Sequence, residues 1–188
     1  MAFAHSTHAQ EDKELYDIPE EETNVNEIDH TKEIGIDLNF SANTFGGSGG
    51  AGIKFGFLQS DRFIFGPSVR IQRSWYNFNG IRNGFSIFGG GAFGHVRFFN
   101  TLFIGAEIEF LSTPFQNGFI TGQRSIVPTA LLGGGFSRSF VPNFRLNAGI
   151  MYDIINHTNS PFRQGYFLKK TNGVLIPVMY RIAFFIPI

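Results

Sequence analysis

Leu102-Phe-Ile-Gly-Ala-Glu-Ile-Glu-Phe110 is the stretch whose reading decides the fold. Leu102, Ile104, Ala106, Ile108 and Phe110 share one face, and Gly105, Glu107 and Glu109 share the other. Alternation with a period of two is the pattern of a strand whose two faces meet different surroundings.

The same alternation recurs in both directions from Lys32 onward, in segments of about ten residues. Residues 33–41 set Ile34, Ile36, Leu38 and Phe40 against Gly35, Asp37, Asn39 and Ser41. After a Gly/Ser stretch, Gly46 to Gly50, read as a loop, Ile53, Phe55 and Phe57 oppose Lys54 and Gly56. Residues 62–75 place Phe63, Phe65, Val69 and Ile71 opposite Gly66, Ser68, Arg70, Gln72 and Ser74. In the glycine-rich segment 84–98, Phe88, Val96 and Phe98 outward with His95 and Arg97 inward is the better fit. Residues 125–137 carry Ile126, Ala130, Leu132 and Phe136 against Thr129, Gly133, Gly135 and Ser137, with Val127 and Leu131 as apolar exceptions. Residues 144–154 carry Phe144 through Ile154 against Arg145, Asn147, Gly149 and Asp153. The last segment, 173–188, is almost wholly apolar. It is too short for a membrane helix, contains Pro177 and Arg181, and is rich in β-branched and aromatic residues, so it reads as a strand.

These segments predict an all-β chain: an eight-stranded antiparallel up-and-down transmembrane β-barrel over residues 32–188. Short links are expected at Ser60-Asp61, Asn100-Thr101 and 138–143, and longer ones at 42–50, 76–83, 112–124 and 156–172. Short turns on one rim and long loops on the other match outer-membrane barrels, whose short rim is periplasmic. An even strand number then puts both termini on the periplasmic side.

Composition agrees. The chain has 24 Phe, 23 Gly, one Trp and no Cys, with a mean hydropathy of zero, as expected when lipid-facing and lumen-facing residues cancel. The absence of cysteine excludes disulfides, thiolate metal sites and a cysteine nucleophile. Residues 11–30 hold nine Asp/Glu and one Lys; taken from chain totals of 15 and 15, they leave fourteen Lys/Arg against six Asp/Glu in residues 31–188. An acidic leader, 11–31, therefore precedes a basic body. The leader reads as mobile or bound to a partner, such as another outer-membrane or periplasmic protein. Basic residues are dispersed among strands, which argues against nucleic acid and suits lipopolysaccharide phosphates. Residues 1–10, Met-Ala-Phe-Ala-His-Ser-Thr-His-Ala-Gln, resemble the end of a signal peptide.

The polar faces carry isolated charges: Asp37, Lys54, Arg70, Glu107, Glu109, Arg145, Asp153 and Arg181. Such sparse charges of both signs suit a narrow lumen where they pair across the barrel. Glu107 and Glu109 are expected to meet some of Arg70, Arg145 and Arg181, with nearby glycines leaving room for the arginines. Arg73, Trp75 and Tyr76 are expected at the membrane interface on the long-loop rim.

Eight dyad-repeat segments, alternating link lengths and the terminal strand Tyr180-Arg-Ile-Ala-Phe-Phe-Ile-Pro-Ile188 resemble the OmpA-transmembrane-domain-like and OmpX-like small barrels. Ile188 departs from the aromatic residue usual at that end. The Phe/Asn/Gly-rich style and the Ala9-Gln10 end of the signal-like segment resemble barrels of Bacteroidota. The resemblance implies a non-enzymatic outer-membrane protein of a Gram-negative cell, structural or a subunit of a complex.

Chemistry is thinly signalled. No His spacing suits a metal, and no glycine run is followed by the Lys-Ser/Thr of a phosphate loop, so no metal or cofactor is expected. His157, in Asn156-His-Thr-Asn-Ser160, faintly resembles the catalytic segment of lipid A deacylases. Asn159 stands where that pattern wants the serine, and Ser160 is one residue off, which on a strand changes faces. A deacylase and a soluble lipocalin-like barrel are the two alternatives. An open pore is not expected, because eight strands enclose only enough space for their own side chains.

Overall fold

The computed structural model describes residues 31–43, 46–60, 62–78, 81–116, 119–140 and 144–188. The expected signal-peptide end at 1–10, and residues 11–30 of the expected acidic leader 11–31, lie outside the described residues.

Strands β1 (Lys32–Asn43), β2 (Gly46–Ser60), β3 (Phe63–Phe78), β4 (Ile81–Phe98), β5 (Leu102–Gln116), β6 (Phe119–Phe140) and β7 (Phe144–Asp153) follow one another as antiparallel neighbours. After β7 come a 3-10 turn (Arg163–Gly165) and a two-stranded ribbon, β8 (Leu168–Lys169) with β9 (Leu175–Ile176). Strand β10 (Val178–Pro187) pairs with β7 and with β1, closing an eight-stranded barrel. The seam pairs Ile36 with Phe184 and Gly35 with Phe185, so outward residues meet outward ones across it. We call the rim at Lys32 proximal and the rim carrying residues 154–177 distal.

Several boundaries differ from those the sequence predicts. Gly46–Gly50 is strand, laddered to β1 on one side and to Gln72–Tyr76 of β3 on the other. The physical reason is close approach: a Cβ on Gly47 would sit 2.6 Å from the Trp75 ring and 2.5 Å from the Ser41 carbonyl oxygen. Lack of side chains reads as a loop, whereas the ladder here requires it. Likewise β3–β4 and β5–β6 continue pairing through 76–78, 81–83, 112–116 and 119–124, leaving 154–177 as the one long link between described strands. The final barrel strand begins at Val178 and not at Gly173. Pro177 has no N–H to give a ladder. Its carbonyl still accepts the Asp153 N–H at 2.8 Å.

Alternation then sorts the side chains. Phe40, Ile53, Val69, Ile71, Ile108, Phe110, Phe136 and Ile150 are exposed on the outer wall, whereas Asp37, Lys54, Arg70, Glu107 and Glu109 are buried within. Inside, an apolar layer of Ile64, Phe93, Ala183 and Phe185 lies toward the proximal rim. A second, of Phe85, Ile87, Leu111, Leu131, Met151, Phe162, Tyr166 and Met179, lies toward the distal rim.

Candidate functional site

Between the two apolar layers lies an ionic one. Alternation on five strands delivers its members: Asp37 from β1, Lys54 from β2, Arg70 from β3, and Glu107 and Glu109 from β5. Arg181 comes from β10. Arg70 shares its Nε between both oxygens of Glu109 at 3.0 and 2.9 Å and donates from Nη1 to Asp37 at 3.1 Å. Lys54 Nζ meets Asp37 at 3.0 Å and also Glu107. Arg181 Nη1 donates to Glu107 at 3.0 Å and to Asp37 at 3.2 Å, and its Nη2 lies 3.9 Å from Glu109. Three carboxylates thus face three cations, and the cluster is formally neutral. Every one of these six residues is at most 5 % exposed. Desolvating such groups costs several kcal/mol per ion, and only mutual pairing with hydrogen bonds offsets it.

Aromatic rings close the layer on both sides. Lys54 lies 5.3 Å from the Phe93 ring centroid, while Arg70 and Arg181 lie 5.8 and 5.2 Å from that of Phe162. His95 Nε2 stands 3.4 Å from Glu107. Nearer the proximal rim, Arg97 grips both oxygens of Glu33 in a separate buried pair.

Two expected members are elsewhere. Arg145 donates to Asn100 at 2.8 Å and Ser137 at 3.2 Å, near the proximal rim, and does not reach Glu107 or Glu109. Asp153 ends β7 at the distal rim. Eight residues separate the two, about 26 Å along a strand, so neither is level with a cluster at mid-barrel. Lys54 fills the role expected of Arg145. The pair Glu33–Arg97 was signalled by parity, since Glu33 shares a face with Gly35 and Asp37. The glycines also serve a different purpose from the one expected. A Cβ on Gly105 would lie 2.4 Å from His95 Cδ2, and one on Gly35 would lie 2.7 Å from the Phe185 ring. Gly105 and Gly35 accommodate bulky neighbours on adjacent strands, whereas Gly89, Gly91 and Gly133 to Gly135, the glycines expected to make room for arginines, lie against backbone of the neighbouring strands.

Of the interface residues, Trp75 faces outward over Gly47, its ring 6.2 Å from that of Phe40, and Arg73 on the same face donates to Ser86 at 3.0 Å. Tyr76 instead turns inward and packs against the distal apolar layer. Adjacent strand residues face opposite sides, so Trp75 and Tyr76 cannot share one surface.

The link 154–177, whose residues 156–172 are expected as one of the longer loops, folds into the barrel mouth. Asp153 Oδ2 accepts from Ser160 Oγ at 3.0 Å and Tyr166 Oη at 2.7 Å, and its Oδ1 accepts the Asn156 N–H at 3.1 Å. Gln72 donates to the Pro161 carbonyl at 3.2 Å. Phe162 is 1 % exposed. Burial first, and then the Asp153 carboxylate, push the Tyr166 phenol well above its ordinary range, so it stays a hydrogen-bond donor. His157 Nδ1 accepts the Asn159 N–H at 3.0 Å. The Ser160 hydroxyl is therefore directed to a carboxylate in a closed space, not to an imidazole facing a substrate. Among the described residues no group of His, Asp and Glu is placed to hold a metal ion.

Fold and lumen together define an inside-out eight-stranded barrel, apolar on its wall and ionic at its centre. Comparison with solved structures finds similarity to the N-terminal β-barrel domain of Pseudomonas aeruginosa OprF, with a TM-score of 0.44 and 13% identity over 83% of this chain and 97% of that one. It also finds the Yersinia pestis outer membrane protein Ail in a phospholipid bilayer nanodisc, with a TM-score of 0.41 and 14% identity over 82% of this chain and 98% of that one. No protein-family model matches the chain, and no curated protein sequence does.

Proposed function

We propose that the chain is a non-enzymatic bacterial outer-membrane β-barrel protein, structural or one subunit of a larger outer-membrane assembly. In this reading the lumen is closed, both termini are periplasmic, and the wall contacts lipid and lipopolysaccharide. The observation that carries it is the inverted polarity. Ile71 is 64 % exposed, Phe136 69 % and Ile126 72 %, while Lys54 and Glu109 inside are each 1 % exposed. Removing one large apolar side chain from water stabilises by about 1.5–3 kcal/mol. A belt of them left in water would oppose solubility, and lipid removes that penalty. A lipocalin-like barrel would show the opposite arrangement, with its apolar face inside.

Closure is supported by the two apolar layers and by Phe162 over the cluster. The test is fractionation with a heat-modifiable gel shift, followed by conductance in planar bilayers. Outer-membrane recovery, a heat-dependent shift and no unitary conductance are expected. Recovery in the soluble fraction overturns the membrane reading, and steady ion conductance overturns the closed lumen. Lipid A deacylation abolished by His157→Ala would replace the non-enzymatic role.

A further inference from the structure

The proximal rim holds a recess of about 400 Å³ lined by Arg62, Arg97, Phe98, Phe99, Asn100 and Arg145. Among the described residues its lining carries three guanidiniums, and the carboxylate paired to one of them is Glu33, held by Arg97. Among the described residues Arg97 Nε is buried with no hydrogen-bond partner, and Arg145 donates to the neutral Asn100 and Ser137. No side-chain hydrogen bond or ion pair of Arg62 is found among the described residues. Counted over the described residues, the recess therefore carries an excess of about two positive charges. The β4–β5 turn beside it holds Phe99 and Asn100 in left-handed conformations, φ 50 and φ 53, with Phe99 92 % exposed.

The strand that opens the barrel begins on this rim. Lys32 starts β1, its carbonyl accepting the Ile188 N–H at 3.0 Å, and Thr31 accepts the Leu58 N–H at 2.8 Å. The residues before it, 11–30, hold nine carboxylates and one lysine. Asp29 and Glu27 precede Lys32 by three and five residues, a reach of about 10 and 17 Å for extended chain. Glu20, Glu21 and Glu22 reach about 35–40 Å, enough to cross a small barrel's rim.

We propose that the acidic stretch 11–29 of this same chain docks on the Arg62–Arg97–Arg145 recess, its carboxylates pairing with the guanidiniums. Tethering makes the contact intramolecular, with an effective concentration in the millimolar range for a short linker. Modest ion pairs then suffice. Phe98 and Phe99 offer an apolar edge to Ile28 and Val25 of the same stretch. The docked leader would neutralise the excess charge on the rim and cover it against other anionic partners.

The chain has no cysteine, so Thr23→Cys supplies a single labelling site without altering charge. The full chain carrying a spin label there, folded in neutral detergent, should show restricted label motion at low salt, independent of protein concentration. Raising salt to about 1 M, where the screening length falls to about 3 Å, should release the label to the mobility it has on the free peptide 11–30. Arg62→Glu with Arg145→Glu should release it at low salt, whereas Arg124→Glu with Lys170→Glu, away from the recess, should not. A label already mobile at low salt overturns the proposal. So does restriction that survives high salt, grows with protein concentration, or is lost equally in both pairs of variants. If the Arg62/Arg145 variant does not fold, the salt and concentration series on the Thr23→Cys chain decides alone.

Discussion

Arg181 of the last strand donates to Asp37 of the first, Nη1 to Oδ2 at 3.2 Å, although 144 residues separate them in sequence. The contact crosses the seam that turns a sheet into a barrel. Asp37 also meets Lys54 and Arg70, and Arg181 also meets Glu107, so the seam is tied into the whole ionic layer.

Breaking one partner leaves a buried charge uncompensated. Arg181→Met and Asp37→Asn should each lower stability by about 3–5 kcal/mol. The double variant should lose less than the sum, with a coupling of about 0.5–3 kcal/mol for residues in one network. Denaturant unfolding in detergent micelles reads all three. Strict additivity would mean that the two residues do not act as a pair.

Gly105 should tolerate no side chain while His95 occupies its present place, because the added Cβ would lie 2.4 Å from the imidazole. Gly105→Val is expected to destabilise by about 1–3 kcal/mol through overpacking. In a His95→Ala background the same change should cost distinctly less. An equal penalty in both backgrounds would place the crowding elsewhere, and unfolding midpoints for the four chains measure it.

The Tyr166 phenol is held above its ordinary pKa, by burial and then by Asp153. A group raised on folding stabilises fully below its unfolded pKa, near 10 for tyrosine, and loses that contribution as pH rises toward the folded value. Residues 154–177 should therefore stay protease-resistant through neutral pH and open only above about pH 10. Tyr166→Phe should lose about 1.5–3 kcal/mol, the worth of a hydrogen bond to a charged group. It should also expose the link to cleavage at neutral pH. A variant as resistant as the parent would show that Phe162 packing alone holds the mouth closed.

Ile108 is 54 % exposed at mid-strand on the outer wall. Ile108→Arg should destabilise the chain folded in phospholipid vesicles by about 2–4 kcal/mol, the penalty at a bilayer midplane. Urea titration of folding in vesicles measures this. A neutral or stabilising outcome would mean that this face meets water.

Parity made much of the site legible. Because strand residues alternate strictly, local spacing alone gives Asp37, Lys54, Arg70, Glu107, Glu109 and Arg181 an inward face. What spacing does not encode is height. Arg145 and Asp153 have the same parity as the cluster's neighbours, yet sit near opposite ends of β7, while Lys54 arrives level with Glu107 because of inter-strand register. Tyr76 shows the converse: its place on the long-loop rim suggests the membrane interface beside Trp75, yet parity puts it on the opposite, inner face.

By itself the sequence determined the all-β class, the strand number and the two faces of each strand, since these follow from a period-two pattern within a few residues. Tertiary structure alone decided which charges pair, that Gly46–Gly50 runs as strand, and that Ser160 to Tyr166 fold into the mouth. Those outcomes depend on stagger between strands distant in sequence, on room left by glycines for a neighbour's ring, and on a carboxylate at the end of β7. The inside-out barrel was written locally, and its neutral centre was assembled only when β10 met β1.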